Sequence, residues 1–319
     1  MVKTNMGISE RKRRDWFDRG AADYASVCAT QDGQQLYTCP ICLTSFVVDA
    51  LADGRLSSEH VPPRSVGGKE LVLTCKRCNN SAGTKLDADA AVKELVRSAM
   101  SGTREHRERV KAAIGDLHVN AEVHFSGGSY SLIVPPHINK PGTADNLKTI
   151  ARPGSSMTVE YRRFSELGAK ISWFRAGYLA IFAVAGYKFA LDPAMEIVRR
   201  QILECDERRI VTFTSEVPDD IPLSVYRILR VISPDWHHGW AVEFGRYFLH
   251  YPSAGDLGFY QRMATCGSTV IPCTTTYEYV GWPAEPTFGR ASSHRETSSE
   301  QCVIDWPKIV SITTPGEPK

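Results

Sequence analysis

The pattern of apolar and polar positions predicts helices and short strands that alternate along the chain. Apolar residues recur at helical spacing in three stretches, residues 1–35, 87–114 and 165–204. Asp192-Pro193 interrupts the last stretch, and Asp192 is the expected cap of the helix that follows. Short alternating runs rich in valine and aromatic residues predict strands in two other stretches, 117–163 and 208–285. We therefore expect an α+β fold.

A compact supersecondary unit is predicted between residues 56 and 85. Proline disfavours helix in the residue before it and cannot donate to a strand ladder, so a strand is expected to end before Pro62-Pro63. The segments then follow in order: a strand at 56–60, a glycine turn at 67–68, a strand at 70–74 and a helix from 75 that Gly83 would end or interrupt.

Composition adds limits to this picture. The chain has 319 residues, of which 42% are hydrophobic and 23% charged, as in ordinary globular proteins. A net charge of +2 excludes a polycation, so any contact with nucleic acid needs local basic patches. The order of elements predicts five segments: a basic arm with a helix (1–35), a cysteine-bearing module (36–90), a basic linker helix (91–114), an α+β accessory region (115–285) and a loose tail (286–319).

The hydropathy of the chain argues against secretion and membrane insertion. The first residues lack the continuous apolar stretch of a signal peptide. Residues 171–191 form the most apolar segment, but Arg175 and Lys188 lie inside it. An interior charge costs roughly 2.5–3.5 kcal/mol on insertion scales. We therefore expect a buried core helix at 171–191 and no contact with a membrane.

Four of the nine cysteines form two CxxC pairs, Cys39/Cys42 and Cys75/Cys78. Such pairs are typical of a tetrahedral zinc site with four thiolates. Because thiolates persist in a reducing environment, we expect a cytoplasmic protein. The spacing is unusual, because 32 residues separate the pairs and a zinc ribbon has about 15–20. A folded insertion between the two pairs is therefore expected.

The residues of that insertion resemble a known family. Glu59-His60 followed by two prolines, then Gly67-Gly68, a hydrophobic strand and Cys-x-x-Cys-Asn, is similar to the HNH (ββα-metal) endonucleases with a four-cysteine structural zinc. The resemblance covers residues 39–87. It implies an N-terminal ββα-metal module on a zinc ribbon, with His60 as the general base and Glu59 and Asn79 as ligands of Mg²⁺ or Mn²⁺. Oxygen donors suit these hard cations, and thiolates suit Zn²⁺.

Three positions leave alternatives open. Glu70 stands where the family usually has an asparagine, which puts the positioning of His60 in question. Asn79 has Asn80 as a fallback for the ligand position. Asp87 either caps the next helix, the role that we favour, or reaches the site.

The resemblance implies an endonuclease that nicks or cleaves DNA, and many such nucleases serve bacterial restriction or phage defence. Double-strand cleavage by a single site would favour a homodimer, and a small-molecule or protein activator stays unidentified. Four basic residues near the module are candidate contacts to nucleic acid: Arg64, Lys76, Arg77 and Lys85. The alternative is a non-catalytic zinc module that binds nucleic acid or a protein partner.

Overall fold

The computed structural model describes residues 8–28, 34–100, 106–126, 129–150, 156–160, 164–210, 214–216, 225–266, 275–289 and 301–302. The chain is mixed α+β, as its sequence predicts. It divides into two compact units: unit one comprises residues 1–87 and 170–319, and unit two comprises residues 88–169. These boundaries differ from those of the five segments expected from the sequence.

The helices of the described residues are, in chain order, α1 (Ile8–Val27), α2 (Lys76–Lys85), α3 (Asp87–Met100), α4 (Thr143–Ile150), α5 (Glu166–Ala185), α6 (Tyr187–Ala190), α7 (Glu196–Leu203) and α8 (Phe259–Cys266). Asp192 accepts a hydrogen bond from the backbone N–H of Ala194 and so caps the short 3₁₀ turn Pro193–Met195 before α7, as expected. The helix α2 continues through Gly83 to Lys85, because a glycine weakens a helix without necessarily ending it.

The strands are β1 (Tyr37–Thr38), β2 (Ser45–Phe46), β3 (Leu56–Val61), β4 (Lys69–Cys75), β5 (His106–Ile114), β6 (Leu117–Ser126), β7 (Ser129–Ile133), β8 (Met157–Glu160), β9 (Thr214–Glu216), β10 (Tyr226–Ser233), β11 (Gly239–Phe244), β12 (Tyr247–Pro252), β13 (Thr275–Tyr279) and β14 (Gln301–Cys302). Within the described ranges these strands form four antiparallel sheets: β1-β2, β3-β4, β7-β6-β5-β8 and β14-β13-β10-β11-β12-β9.

The helix α5 forms the centre of unit one. Almost every side chain of its second half is fully buried, which explains why the sequence has no polar face there. Phe174 stacks on Tyr251 of β12, and Trp173 stacks on Tyr247 of the same strand. Within the described residues, none of the helices combines the length and hydropathy needed to cross a bilayer.

Strands β3 and β4 pair antiparallel, and α2 follows β4 without a gap. The register of the pair shifts between Glu59 and His60, near the end of β3. His60 is then directly opposite Glu70. The turn between the strands contains Gly67 at φ +93°, a conformation that other residues rarely adopt.

The expected linker helix over 91–114 is wrong for residues 106–114, and residues 101–105 lie outside the described part of the chain. The helix α3 ends at Met100, and His106–Ile114 is the strand β5 at the centre of the sheet of unit two. Its residues alternate, since Val110 and Ala112 are buried and Arg109 and Lys111 are exposed. Alanine and long charged residues favour helices, so intrinsic propensity masks this two-residue period.

Candidate metal centre

The four cysteines of the two CxxC pairs lie together. Their sulfur atoms are all within 4.8 Å of one another, and Cys42 Sγ is 3.6 Å from Cys75 Sγ. Four sulfurs at about 2.3 Å from a tetrahedral zinc ion are separated by about 3.8 Å. Among the described residues, this is the one cluster of three or more Cys, His, Asp or Glu ligand atoms close enough to hold a metal ion. The geometry is compatible with the predicted structural zinc.

Chain geometry explains how the sulfurs converge. Cys39 and Cys42 lie in the turn between β1 and β2, Cys75 ends β4, and Cys78 is in the first turn of α2. The backbone N–H of Cys75 donates to the Cys39 sulfur at 3.5 Å. Hydrogen bonds among the thiols lower the pKa of Cys42, and those from Cys39 lower the pKa of Cys75 to about 6. Hydrogen bonds within the same cluster raise the pKa of Cys39 and Cys78, so two of the four sulfurs favour the thiolate and two the thiol. Zinc binds the thiolate, so its binding would release the remaining protons.

Two buried tyrosines fix the backbone of the first cysteine pair. The Tyr187 hydroxyl accepts from the backbone N–H of Thr38 at 2.9 Å and donates to the carbonyl of the same residue. The Tyr178 hydroxyl donates to the Pro40 carbonyl at 2.7 Å. Both tyrosines are fully buried, and burial raises the pKa of both hydroxyls, which therefore stay protonated donors. The sequence analysis did not identify them, because no spacing rule connects them to the CxxC pair.

His60, the predicted general base, is half-buried on β3. Its imidazole has no hydrogen-bond partner among the described residues. Glu70 is its neighbour across the hairpin, but the Glu70 carboxylate accepts a hydrogen bond from Ser58 Oγ at 2.6 Å. The residue that replaces the family's usual asparagine is thus bound to the strand rather than to the imidazole.

Glu59, a predicted ligand of the divalent cation, is buried with 4% of its surface exposed. Its Oε2 atom accepts from Thr74 Oγ1 at 3.1 Å and from Arg175 Nη2 at 2.5 Å. Its Oε1 atom has no partner among the described residues. Oε2 of Glu59 is therefore hydrogen-bonded within the protein, whereas Oε1 has no such bond to a described residue.

The fully buried Arg175 of α5 was missed as a site residue. Burial opposes its charged form, but the carboxylates of Glu59 and Asp87 outweigh that cost and raise the pKa of Arg175. Asp87 Oδ2 is 4.0 Å from Arg175 Nη1, and Asp87 Oδ1 accepts from Ser172 Oγ at 2.7 Å. The side chain of Asp87 thus binds α5, and the capping role that the sequence favours is corrected.

Asn79, the second predicted oxygen ligand, is half-buried on α2. Its Nδ2 donates to Ser57 Oγ at 3.0 Å and to the Ser58 carbonyl at 3.2 Å. A carbonyl only accepts, so the amide nitrogen faces β3 and Oδ1 has no partner among the described residues. Oδ1 of Asn79 and Oε1 of Glu59 have the donor chemistry that Mg²⁺ or Mn²⁺ prefers.

The four basic residues predicted to bind nucleic acid differ in their surroundings. Arg64 and Lys76 are exposed, whereas Lys85 forms an ion pair with Asp206 at 3.3 Å. A hydrogen bond to the Cys42 sulfur raises the pKa of Arg77, whose guanidinium is therefore next to the cysteine cluster. Whether any of them contacts phosphate stays a prediction.

Comparison of the chain with protein-family models, with curated proteins and with solved structures finds no match. The class of the protein is therefore defined only by its own residues: a mixed α+β chain with a four-cysteine cluster suited to a structural metal ion. The arguments for a reaction come from the hairpin β3-β4 and the helix α2, whose predicted site residues are His60, Glu59 and Asn79.

Proposed function

We propose that the chain is a metal-dependent endonuclease of the HNH (ββα-metal) type, which hydrolyses DNA phosphodiester bonds. One observation carries the proposal. The Asn79 amide on α2 is hydrogen-bonded to Ser57 and Ser58, the two residues that precede Glu59-His60 on β3. The residues of the EH and CxxCN motifs, which are about 20 apart in sequence, thus belong to one hairpin-helix unit, which also contributes Cys75 and Cys78 to the four-sulfur cluster.

The role that we assign to His60 is that of general base. An imidazole is suited to accept a proton from water near neutral pH. The ring of His60 is half-buried and has no hydrogen-bond partner among the described residues, so a nucleophilic water could approach its free nitrogen. Proton transfer to His60 would leave hydroxide to attack the scissile phosphorus. The bond from phosphorus to the leaving sugar oxygen would break, and that oxygen would take a proton from water.

Glu59 Oε1 and Asn79 Oδ1 would hold the divalent cation. When bound, Mg²⁺ or Mn²⁺ supplies positive charge for the phosphate and leaving oxygens. The protein contributes the orientation of both ligands, since Asn79 Nδ2 is fixed by β3 and Glu59 Oε2 by Thr74 and Arg175. The second metal, zinc, has a structural role in this proposal.

The test is a plasmid-nicking assay with the full chain, loaded with zinc and supplied with Mg²⁺ or Mn²⁺. We expect His60→Ala to reduce nicking by about 10²–10⁴-fold, the usual effect of losing a general base. The matched control is His118→Ala on β6, which removes an exposed histidine of unit two. Zinc content and circular dichroism should be equal in all three proteins. Equal nicking by the wild type and His60→Ala would contradict the proposal.

A non-catalytic zinc module is the second candidate, and two observations favour it. Glu59 is already neutralised by Arg175, and Glu70 replaces the asparagine of the family pattern. Fluorescence anisotropy with a labelled duplex separates the candidates. Equal DNA affinity for the wild type and His60→Ala, with no cleavage by either, supports the binding module.

A role in bacterial restriction or phage defence is a further part of the proposal. It follows from the resemblance, and its test is a plaque assay in bacteria that express the chain. Protection by the wild type that is lost in His60→Ala would support it, and equal plaque numbers would contradict it.

A further inference from the structure

The buried guanidinium of Arg175 needs a physical explanation. Arg175 is 2% exposed and lies in α5, among side chains that are almost all apolar. A buried charge is costly unless it is paired and hydrogen-bonded. Its closest partner is Glu59, 116 residues away in sequence, and its Nε atom has no hydrogen-bond partner among the described residues.

The contact holds one particular atom of Glu59. Arg175 Nη2 and Thr74 Oγ1 both donate to Oε2, from α5 and from β4. Two donors from different elements fix the rotation of the carboxylate about its last bond. Hydrogen bonds to an ionised group are also stronger than those between neutral groups. The other oxygen, Oε1, thereby acquires a defined direction.

We propose that Arg175 is a positioning residue: it holds Oε2 of Glu59 so that Oε1 is fixed as a ligand for the divalent cation. The inference rests on the proposed nuclease function and adds a residue outside the motif that carries the resemblance. Hydrogen bonds to a ligating carboxylate from residues around it have a known effect, since their loss usually costs 10–100-fold in metal affinity or activity.

A purely structural role for the ion pair is the competing explanation. Buried ion pairs can often be replaced by apolar residues without loss of stability, so stability alone is a weak reason to keep one. Asp87 and Ser172 belong to the same cluster and would preserve some of its packing without Glu59. The two explanations differ in whether loss of Arg175 changes the affinity for the cation.

The experiment measures Mn²⁺ affinity by electron paramagnetic resonance of free Mn²⁺, using the zinc-loaded full chain. We expect Arg175→Met to weaken Mn²⁺ binding by about 10–100-fold, and Arg175→Lys to recover part of that loss because it keeps a cation. Glu59→Gln should weaken binding as well, and the double variant Glu59→Gln/Arg175→Met should bind no more weakly than Glu59→Gln alone. The matched control is Arg262→Met on α8, which removes an arginine that forms an ion pair with Asp256.

Each outcome decides a different question. A normal Mn²⁺ affinity in Arg175→Met, with only a lower melting temperature, overturns the positioning role and leaves the nuclease proposal intact. A wild type that binds no Mn²⁺ overturns both. If Arg175→Met does not fold, Arg175→Lys and the charge-neutral double variant provide the same comparison. A double variant that binds Mn²⁺ more weakly than Glu59→Gln alone would then contradict the inference.

Discussion

The hairpin-helix of residues 56–85 and the four-stranded sheet of unit two are stabilised in different ways. The sheet has an apolar cluster of its own, formed by alternate residues of β5 and β6: Val110, Ala112, Val119, Ala121 and Val123. The hairpin has only two strands, too few to be stable alone. Its β4–α2 end instead contributes Cys75 and Cys78 to the four-sulfur cluster, and Glu59 of β3 forms an ion pair with Arg175 of α5.

The difference shows how a small site can be built with high precision. Apolar packing tolerates substitutions of similar volume, whereas sulfur ligation and a buried ion pair require particular atoms at particular positions. The sheet is thus expected to tolerate changes that the hairpin-helix does not. Hydrogen exchange followed segment by segment can test this contrast directly.

Loss of the metal should have the largest effect. Cys75→Ser, or removal of zinc by a strong chelator, should abolish hydrogen-exchange protection in residues 39–85, since zinc binding contributes directly to the folding of structural sites. Residues 106–126 should stay protected. The measurements are zinc content, expected to fall from about one per chain to none, and exchange by mass spectrometry.

The control for this change is Cys205→Ser, a buried cysteine outside the cluster. It should keep its zinc. Protection of the hairpin without zinc would show that the thiols are not needed to hold it, and the contrast with the sheet would be wrong.

A matched pair of glycine substitutions in the two hairpin turns should come next. A Cβ at Gly68 would lie 1.5 Å from the Pro62 carbonyl oxygen, which forces the backbone to move. Gly115, between β5 and β6, has open space and φ +54°, so alanine there costs only about 1–2 kcal/mol. We expect Gly68→Ala to be clearly more destabilising in urea unfolding, and equal costs would contradict the argument.

Acid should weaken unit one. His237 and His250 are fully buried, and Nε2 of His237 lies 2.7 Å from Nδ1 of His250. Burial lowers the pKa of His237 to about 4 and the pKa of His250 well below its usual value. The unfolded chain then binds more protons below pH 6.5, so stability is complete above that pH and is lost as pH falls towards 4.

The loss for His237 alone is about 1.4 kcal/mol between pH 7.5 and 5.5, and it reaches about 3 kcal/mol at pH 4. Urea unfolding between pH 7.5 and 5.5, with zinc content followed in parallel, measures it. His250→Gln should reduce the pH dependence. In unit two, His118 is exposed, so hydrogen exchange of the sheet should change less over this pH range. A uniform loss of protection in both units would contradict the prediction.

The smallest effect on the hairpin-helix is expected from a core truncation in the sheet of unit two. Val123→Ala removes two methyl groups from the apolar cluster and should cost about 2 kcal/mol without loss of zinc. Thermal unfolding and zinc analysis check both parts. Zinc loss in this variant would mean that the two regions are not independent.

Local signals in the sequence anticipate most of this architecture. The CxxC spacing predicts the cysteine cluster, and Pro62-Pro63 with Gly67-Gly68 predicts the hairpin within a residue or two. These signals work because the constraints act between near neighbours. The strand β5 was predicted as a helix, since its alanines and charged residues have high helix propensity.

Long-range contacts account for what sequence reasoning missed. Arg175 was recognised only as a charge that argues against a membrane span, and nothing in its spacing indicates Glu59 as its partner. The Nε2 atom of His237 lies 2.7 Å from Nδ1 of His250 on β12, a pair that no sequence spacing indicates. Such pairs form only when distant elements pack together in the fold, and a short sequence motif does not encode that packing.

The separation between the hairpin and its supports has a consequence for biosynthesis. Glu59 and Arg175 are 116 residues apart, and Thr38 and Tyr187 are 149 apart. A ribosome therefore completes both cysteine pairs and Glu59 well before it makes the Arg175 guanidinium, which binds Glu59, and the tyrosine hydroxyls, which bind the backbone around the first cysteine pair. Contacts between such distant residues also form slowly. During much of translation the cysteine pairs and Glu59 thus lack these hydrogen-bond partners. The contacts of the site are complete only after α5 and α6 have been synthesised.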